Sequence, residues 1–426
     1  MKLSTSLRAG SVRWAAPGVI LLTLFYYVSN GSTPPPESSG YAPALIASPL
    51  MSLYPLAYAV PAALATWESG RLKTTGVWAL APARSRYRVA ANALLPVCLL
   101  AWTVVILPSV ITLVQHTTLP TPSSLLLPAM AMFLCTAHAV IGFSVGLRTP
   151  HIITAPVMAV GVWVMVAFSQ ATEPLWVSNI FGQYTDLMFG EIPKLISLVP
   201  HLLFGGSIAA GIALMWLPVR RRAIRTSLAC LVAVAGTYTA CDMARPWGPN
   251  PPLLGGQAPV SCQGHAPQVC MPRATSADEL ASVRQDVVSA LAKLRAVGVT
   301  DPPDRITDRL GDGRYSQPST EKHWRLSLTS ASGNRTVAYA VAVGAIRFPC
   351  AQVDQITGRA VLLWASTIVG AEKTYDRITA SRSDPTDPTD REAKVRSIVR
   401  EVRSEPTAQQ TAWFRQNRTA ACPQAR

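Results

Sequence analysis

Two short motifs in this sequence contain residue types that act as nucleophiles or metal ligands in enzymes. Residues 142–146 match G-x-S-x-G, the nucleophile elbow of hydrolases. That elbow requires a strand, a sharp turn and a helix, whereas these residues lie inside a continuous apolar run. Gly142 and Gly146 also have the small-residue spacing that lets membrane helices approach closely. We therefore interpret the motif as helix packing, with intramembrane proteolysis by Ser144, and His138 or a later His as its base, as the alternative.

The second motif is Cys262-x2-His265-x4-Cys270, which offers two thiolates and one imidazole to a zinc ion. A structural zinc site needs four ligands, and this loop supplies three. Together with Cys350 and Cys422 the cysteines form an even set, which is typical of disulfides in an oxidising compartment. Four cysteines allow three connectivities, of which we favour Cys262–Cys270 with Cys350–Cys422. The sequence thus predicts disulfides here and no metal.

Other catalytic signatures are missing from the sequence. It contains no H-E-x-x-H zinc motif and no G-x-x-x-x-G-K-[ST] phosphate loop. The acidic residues Asp301, Asp304, Asp308 and Asp312 do not follow the spacing of a calcium loop, and a solvated loop accounts for them. We therefore expect a protein that is not an enzyme and that binds no cofactor.

The composition separates an apolar N-terminal part from a polar C-terminal part. Of the 426 residues 49% are hydrophobic and 14% are charged, and the net charge is +15. Positions 1–242 hold 14 basic and 6 acidic residues, which leaves 38 − 14 = 24 basic and 23 − 6 = 17 acidic residues for the rest. The C-terminal excess is dispersed and forms no basic stripe. A nucleic-acid partner is therefore not expected.

Seven apolar segments of the N-terminal part have about the length that a membrane span requires. Their approximate limits are 12–29, 44–66, 89–114, 125–147, 151–169, 196–218 and 226–242. Loops on one side contain thirteen basic residues and loops on the other contain only Lys194. The thirteen are Lys2, Arg8, Arg13, Arg71, Lys73, Arg84, Arg86, Arg88, Arg148, Arg220, Arg221, Arg222 and Arg225. The positive-inside rule then predicts a cytoplasmic N-terminus and, after seven spans, an extracytoplasmic C-terminal part.

Two stretches between the spans are distinctive. Residues 65–88 carry Trp67, Glu68, Arg71 and Trp78, and they suit an interfacial helix that anchors two spans, rests on lipid or binds a cytoplasmic partner. Residues 170–195 alternate apolar and polar positions, which favours short helices on or in the outer leaflet. The spans themselves hold almost no ionisable groups, which argues against ion-coupled transport.

These features resemble the permease subunits of type-two ABC exporters. Such permeases have six spans, a cytoplasmic amphipathic helix after the second span and a hairpin between the fifth and sixth. Their cytoplasmic helix carries a Glu, a Gly, an apolar pair, a Pro and a basic residue, on which Glu68, Gly70 or Gly76, Leu80, Pro82 and Arg84 can be laid. The resemblance implies that a separate ATPase subunit binds this segment, and that the permease pairs with an identical or different second permease. The residues implied as ATPase contacts are Trp67, Glu68, Arg71, Trp78, Pro82 and Arg84.

The seventh span and the C-terminal domain depart from that plan. A Pro/Gly-rich connector, 243–261, separates the membrane domain 1–242 from a domain at 262–426. The latter resembles an uncharacterised domain attached to actinobacterial permease-like proteins, through 268–272 and 409–413 with Cys422. We predict helices at 276–298, 360–371, 391–403 and 407–420, strands at 324–330 and 336–343, and a linker at 384–390.

The sequence therefore predicts a polytopic α-helical membrane protein of about seven spans with a C-terminal α+β extracytoplasmic domain. Its expected location is a bacterial plasma membrane. The expected function is that of the permease-like subunit of an ATP-driven export complex. The alternative is a membrane-anchored extracytoplasmic binding or sensing protein without transport activity.

Overall fold

The computed structural model describes residues 10–29, 40–80, 85–217, 221–273, 275–299, 302–315, 317–348, 350, 352–382 and 389–422. The chain divides into two compact units, Met1–Gln257 and Ala258–Arg426. The boundary falls within the Pro/Gly-rich stretch 243–261.

The first unit is built from seven apolar helices. They are α1 (Val12–Ser29), α2 (Ala42–Thr74), α3 (Arg86–Gln115), α4 (Leu126–Arg148), α5 (His151–Ala167), α6 (Leu195–Leu214) and α7 (Arg222–Ala244). Within the described residues, six helices are long and apolar enough to cross a membrane. The exception is α5, whose 17 residues extend about 25 Å. Six of the seven predicted spans therefore have full length, and the seventh, α5, is a shorter apolar helix.

Helix α2 is the centre of this unit. Its 33 residues correspond to about 50 Å, and its apolar stretch is mostly buried against α1, α3, α4 and α5. Helix α4 approaches α2 at Gly142 and Gly146, where a Cβ atom would lie 2.1 Å from the Ala62 and Thr66 carbonyl oxygens respectively. The Thr66 hydroxyl donates to the Gly142 carbonyl at 2.9 Å. The glycine spacing thus brings two helix backbones into contact.

The segment between α5 and α6 is folded onto the helices. It contains two short 3₁₀ turns, Ser169–Ala171 and Leu175–Asn179, and the strand β1 (Ile192–Pro193), which pairs with β2 (Leu253–Leu254). Ile180, Leu187 and Phe189 are buried. The short helices predicted for this segment are present as the two 3₁₀ turns, and part of its apolar surface packs inward while Leu175 and Met188 stay exposed. Its position in the outer leaflet stays a prediction.

The second unit contains a four-stranded sheet in the order β3-β4-β5-β6. The strands are β3 (Val260–Gln263), β4 (Gln268–Pro272), β5 (Arg305–Asp308) and β6 (His323–Leu326). Strands β4, β5 and β6 run parallel, and β3 pairs antiparallel at one edge. Helix α8 (Ala277–Ala296) makes the crossover between β4 and β5, as parallel pairing requires. Ser276 caps its N-terminus, because the Ser276 hydroxyl accepts from the Glu279 amide at 3.2 Å.

Six further helices follow the sheet. They are α9 (Leu328–Gly333), α10 (Val337–Ile346), α11 (Gln355–Val369), α12 (Glu372–Arg382), α13 (Thr389–Ser404) and α14 (Thr407–Ala420). The predicted strand at 336–343 is wrong, since these residues lie in α10. The strand predicted at 324–330 ends at Leu326. Helix α11, predicted as buried, places Trp364 in the core beside Phe414 of α14. Most of the predicted linker 384–390 lies outside the described residues.

Candidate functional site

The residues predicted to contact an ATPase do not lie on a separate amphipathic helix. Trp67, Glu68 and Arg71 belong to the last turns of α2, and Trp78 lies on a single helical turn, Val77–Leu80. Pro82 and Arg84 lie outside the described residues. Basic residues in the last turn of α2 suit the partial negative charge at a helix C-terminus.

Glu68 forms an internal contact that ties α2 to the start of α1. Its side chain is buried, and one carboxylate oxygen accepts from the Ser11 amide at 2.5 Å. The other oxygen accepts from Arg71 Nη2 at 2.7 Å. A partner that used Glu68 directly would have to displace one of these contacts. The groups offered to the surface are Trp67, which is 38% exposed, and Arg71, whose side chain is 41% exposed.

Replacing Glu68 with glutamine is expected to destabilise the helical unit by about 2 kcal/mol, because a charge-assisted hydrogen bond loses its charge. A thermal unfolding curve of the detergent-purified chain measures the effect. Glu173→Gln, an exposed carboxylate in the same unit, is the matched control. Equal melting temperatures for the two variants would contradict the structural role of Glu68.

Helix α5 packs against this end of α2. A Cβ atom on Gly70 would lie 2.2 Å from the His151 Cβ, and the His151 ring meets Trp67 edge to face with centroids 5.0 Å apart. Glycine at position 70 is therefore required by the close approach of α5. The Gly of the family pattern, laid on Gly70, here performs a packing role.

A second group of polar residues lies farther back along α2, and sequence reasoning missed it. We call it the tyrosine–histidine cluster: Tyr54, Tyr58, Tyr184 and His201, all buried. The Tyr58 hydroxyl donates to the Gly182 carbonyl at 2.8 Å, and the Gly182 amide donates to His201 Nδ1 at 3.2 Å. The rings of Tyr184 and His201 lie 5.7 Å apart. The cluster thus joins α2 and α6 to the segment between α5 and α6.

Two donors in this cluster have no partner among the described residues. The Tyr54 hydroxyl and His201 Nε2 are both buried without a hydrogen bond. Because Nδ1 of His201 accepts from an amide, the neutral imidazole carries its proton on Nε2. The cluster could not be predicted from the sequence, because the two tyrosines of α2 are far along the chain from Tyr184 and His201 and only the fold brings them together.

The geometry disfavours a serine protease at 142–146. Ser144 Oγ accepts from the Arg148 guanidinium one turn away, and His138 Nδ1 faces the Leu134 carbonyl oxygen at 2.9 Å while its ring stacks on Tyr58. His138 and Ser144 are six residues apart on one helix, which separates them by about 9 Å along its axis. His138 is therefore not placed as a base for Ser144, whose hydroxyl contacts Arg148 instead.

The alternative of a zinc site at 262–270 is excluded because its two cysteines form a disulfide. Cys262 and Cys270 face each other across β3 and β4 and form a disulfide, and Cys350 bonds to Cys422. The sulfurs offered to a metal by the Cys-x2-His-x4-Cys motif are therefore consumed. In the described part of the chain, no three His, Cys, Asp or Glu side chains are grouped as metal ligands would be.

The prediction of a solvated loop is wrong for two of the carboxylates: Asp308 is the last residue of β5, Asp312 ends the 3₁₀ turn Arg309–Asp312, and both are buried. Asp308 accepts from the Leu310 amide at 3.1 Å and from the Thr329 amide at 2.8 Å, and Asp312 forms an ion pair with Arg325. Burial raises the pKa of Asp308, while these hydrogen bonds oppose the shift. Burial and nearby arginines lower the pKa of His323. Both oxygens of Asp308 accept from protein donors, whereas Asp312 Oδ2 is buried without a partner among the described residues. The contacts of Asp308 and the ion pair of Asp312 stabilise the connections of β5 and β6.

The residues that carry the C-terminal resemblance are structural. Residues 268–272 form β4 in the centre of the sheet. Gln410 Oε1 accepts from Trp364 Nε1 at 3.1 Å, the Thr411 hydroxyl donates to the Val297 carbonyl, and Trp413 lies beside Trp364. These contacts fix α14 to the core.

A family model matches the C-terminal part of the chain. Residues 269–422 match the model of a family described as Domain of unknown function (DUF7224). No curated protein and no solved structure matches the chain.

Proposed function

We propose that the chain is the membrane-spanning, permease-like subunit of an ATP-driven export complex, energised by a separate ATPase subunit that binds at the end of α2. The observation that carries the proposal is the course of α2. This helix joins the exposed Trp67 and Arg71 to Tyr54 and Tyr58 of the tyrosine–histidine cluster. A displacement of the end of α2 would therefore reach the cluster through one continuous buried helix. A helix that only anchored another domain would not need to connect an exposed end to a buried polar cluster.

The proposed topology has a cytoplasmic N-terminus and an extracytoplasmic second unit in a bacterial plasma membrane. It requires α5 to cross the bilayer with about 25 Å of helix, which local thinning of the bilayer allows. With only six crossings, the second unit would lie on the cytoplasmic side, where disulfides are rare. The disulfides Cys262–Cys270 and Cys350–Cys422 favour seven crossings.

The test is purification from native membranes in mild detergent, with quantitative mass spectrometry of the proteins retained. We expect an ATPase to co-purify with the natural chain. Trp67→Ala combined with Arg71→Gln should reduce its retention about thirtyfold or more, because aromatic and arginine side chains dominate interface energies.

Glu68→Gln is the matched control, because it breaks the same ion pair as Arg71→Gln but leaves the exposed guanidinium in place. Arg222→Gln, an exposed arginine at the start of α7, controls for charge. Loss of the ATPase in all variants would assign the effect to folding. A natural chain that purifies without any ATPase would overturn the proposal in favour of a membrane-anchored binding or sensing protein.

A further inference from the structure

A cavity of about 200 Å³ lies at one end of the helical unit. It is formed where α2 ends, α3 begins and α4 comes to its last turns. The residues that line it are Lys73, Trp78, Arg86, Ala90, Phe143, Leu147 and Trp216. They combine an apolar wall with two cations, and no acidic residue is among the described lining residues.

The apolar wall is a fixed aromatic group. The Phe143 ring is fully buried and meets Trp78 and Trp216 edge to face, with centroids 6.4 Å and 5.7 Å away. The Tyr87 hydroxyl donates to the Ala213 carbonyl at 2.6 Å, which holds the start of α3 to the end of α6. Four parts of the chain thus hold the wall in place.

The polar side of the cavity consists of donors without acceptors. Lys73 and Arg86 are exposed, and within the described residues neither side chain forms a hydrogen bond or an ion pair with another residue. The indole Nε1 of Trp78 is buried and has no partner there. A buried donor gains stability from an acceptor, and two cations beside it select an anionic one.

We propose that this cavity is a specific binding site for the headgroup of an anionic phospholipid. The phosphate oxygens accept from Lys73, Arg86 and the Trp78 indole, and the glycerol and first methylene groups pack on Phe143 and Trp216. The acyl chains continue along the lipid-facing surface of the helices. An amphiphile is preferred to a free anion because most of the wall is aromatic or aliphatic. The inference does not depend on an ATPase partner.

The experiment uses the full chain, delipidated in detergent and offered an equimolar mixture of dioleoyl phosphatidylglycerol and dioleoyl phosphatidylcholine. Native mass spectrometry measures the bound lipid. We expect the natural chain to retain phosphatidylglycerol preferentially. Lys73→Gln with Arg86→Gln should weaken its apparent affinity about thirtyfold, the product of two cation–lipid contacts. Arg221→Gln with Arg222→Gln removes the same charge from an exposed position and should change the affinity less than about twofold.

A second variant tests the buried donor without altering charge. Trp78→Phe keeps a ring in the wall but removes the N–H, so it should weaken phosphatidylglycerol binding several-fold and leave the melting temperature of the lipid-free chain unchanged. Equal loss of binding in the Arg221/Arg222 control would mean diffuse attraction and overturn the site. If inorganic phosphate raised the melting temperature of the lipid-free chain as much as phosphatidylglycerol does, the cavity would bind a free anion. That result would also overturn the proposed lipid site. An unchanged preference for phosphatidylglycerol in both Lys73→Gln/Arg86→Gln and Trp78→Phe would likewise overturn the proposed site.

Discussion

Replacing Gly142 with alanine is expected to destabilise the helical unit by about 3 kcal/mol or more, since overpacking and a lost hydrogen bond add together. The new Cβ would lie 2.1 Å from the carbonyl oxygen of Ala62 and 2.9 Å from its carbonyl carbon. Those atoms belong to the backbone of α2, so no side-chain rotation can relieve the overlap. Helices α2 and α4 must separate, and the bond from Thr66 to the Gly142 carbonyl is lengthened or lost.

The measurement is a thermal unfolding curve of the purified chain, with size-exclusion chromatography to report aggregation. Gly161→Ala is the matched control, because Gly161 lies inside the apolar helix α5 and a Cβ there would meet no atom within 4 Å. That control should be neutral or stabilising by up to about 1 kcal/mol, since alanine is the better helix former. Melting temperatures that agree for the two variants would contradict backbone contact at position 142.

Gly146→Ala extends the same test along α4. Its Cβ would meet the Thr66 carbonyl oxygen at 2.1 Å and Ser69 Oγ at 2.2 Å. The two glycines lie one turn apart on the same face of α4, so their effects should add less than fully once either substitution has separated the helices.

The position of α2 explains why the sequence could predict some features of the helical unit and not others. Apolar runs of about 20 residues with basic ends predict helices well, because length and polarity alone determine that a segment can cross a bilayer. Each of the seven predicted segments overlaps one of the helices α1 to α7. The role of α2 as the central helix has no such signal, since burial against four neighbours depends on residues that are distant in sequence.

Glu68 is an example of a residue whose contacts within the chain could not be predicted from the sequence. A lone carboxylate among basic residues at the end of a span suggests an exposed contact. In the structure the Ser11 amide and Arg71 take up both of its oxygens. Only the folded chain brings residue 11 to within hydrogen-bonding distance of residue 68.

The error at 336–343 has a different cause. These residues alternate Val or Tyr with Ala or Thr, which is the period of a half-buried strand. The buried positions of α10 include Val337, Val341 and Ala345, which are four residues apart and so form one face of a helix. A short apolar run can satisfy both periods, and packing against β6 and α8 decides between them.

In the C-terminal unit, the two ends of helix α8 could be predicted from the sequence, whereas the order of the strands could not. Ser276 as the start of α8 and Gly298 just beyond its end follow from local capping chemistry, and Gly298 has the left-handed φ of 69° that favours glycine. The parallel order of β4, β5 and β6 could not be read in this way, because β5 and β6 have only four residues each. Their register depends on the helix that crosses between β4 and β5.

Removing the Cys350–Cys422 disulfide is expected to cost the C-terminal unit about 4 kcal/mol, against about 2.5 kcal/mol for Cys262–Cys270, if loop entropy dominates. The difference arises because the first bond closes 72 residues and the second closes 8. The long loop contains α11 to α14, and its bond fixes the end of α14 beside the start of α11. There the Asp354 amide donates to the Ala421 carbonyl at 2.7 Å.

The two pairs of Cys→Ala substitutions are compared in the full chain by denaturant unfolding with pulse proteolysis, followed through a C-terminal epitope. In Cys350→Ala/Cys422→Ala the covalent tie of α14 is lost, and only the contacts of Trp413, Phe414 and Gln410 with the core remain. Cleavage should therefore begin within α14, whereas Cys262→Ala/Cys270→Ala should leave α14 protected. Chemical reduction of the natural chain breaks both disulfides. It should therefore destabilise the unit at least as much as the more damaging pair of Cys→Ala substitutions. A larger loss from the short loop would mean that the ladder of β3 and β4, rather than chain entropy, controls the stability of this unit.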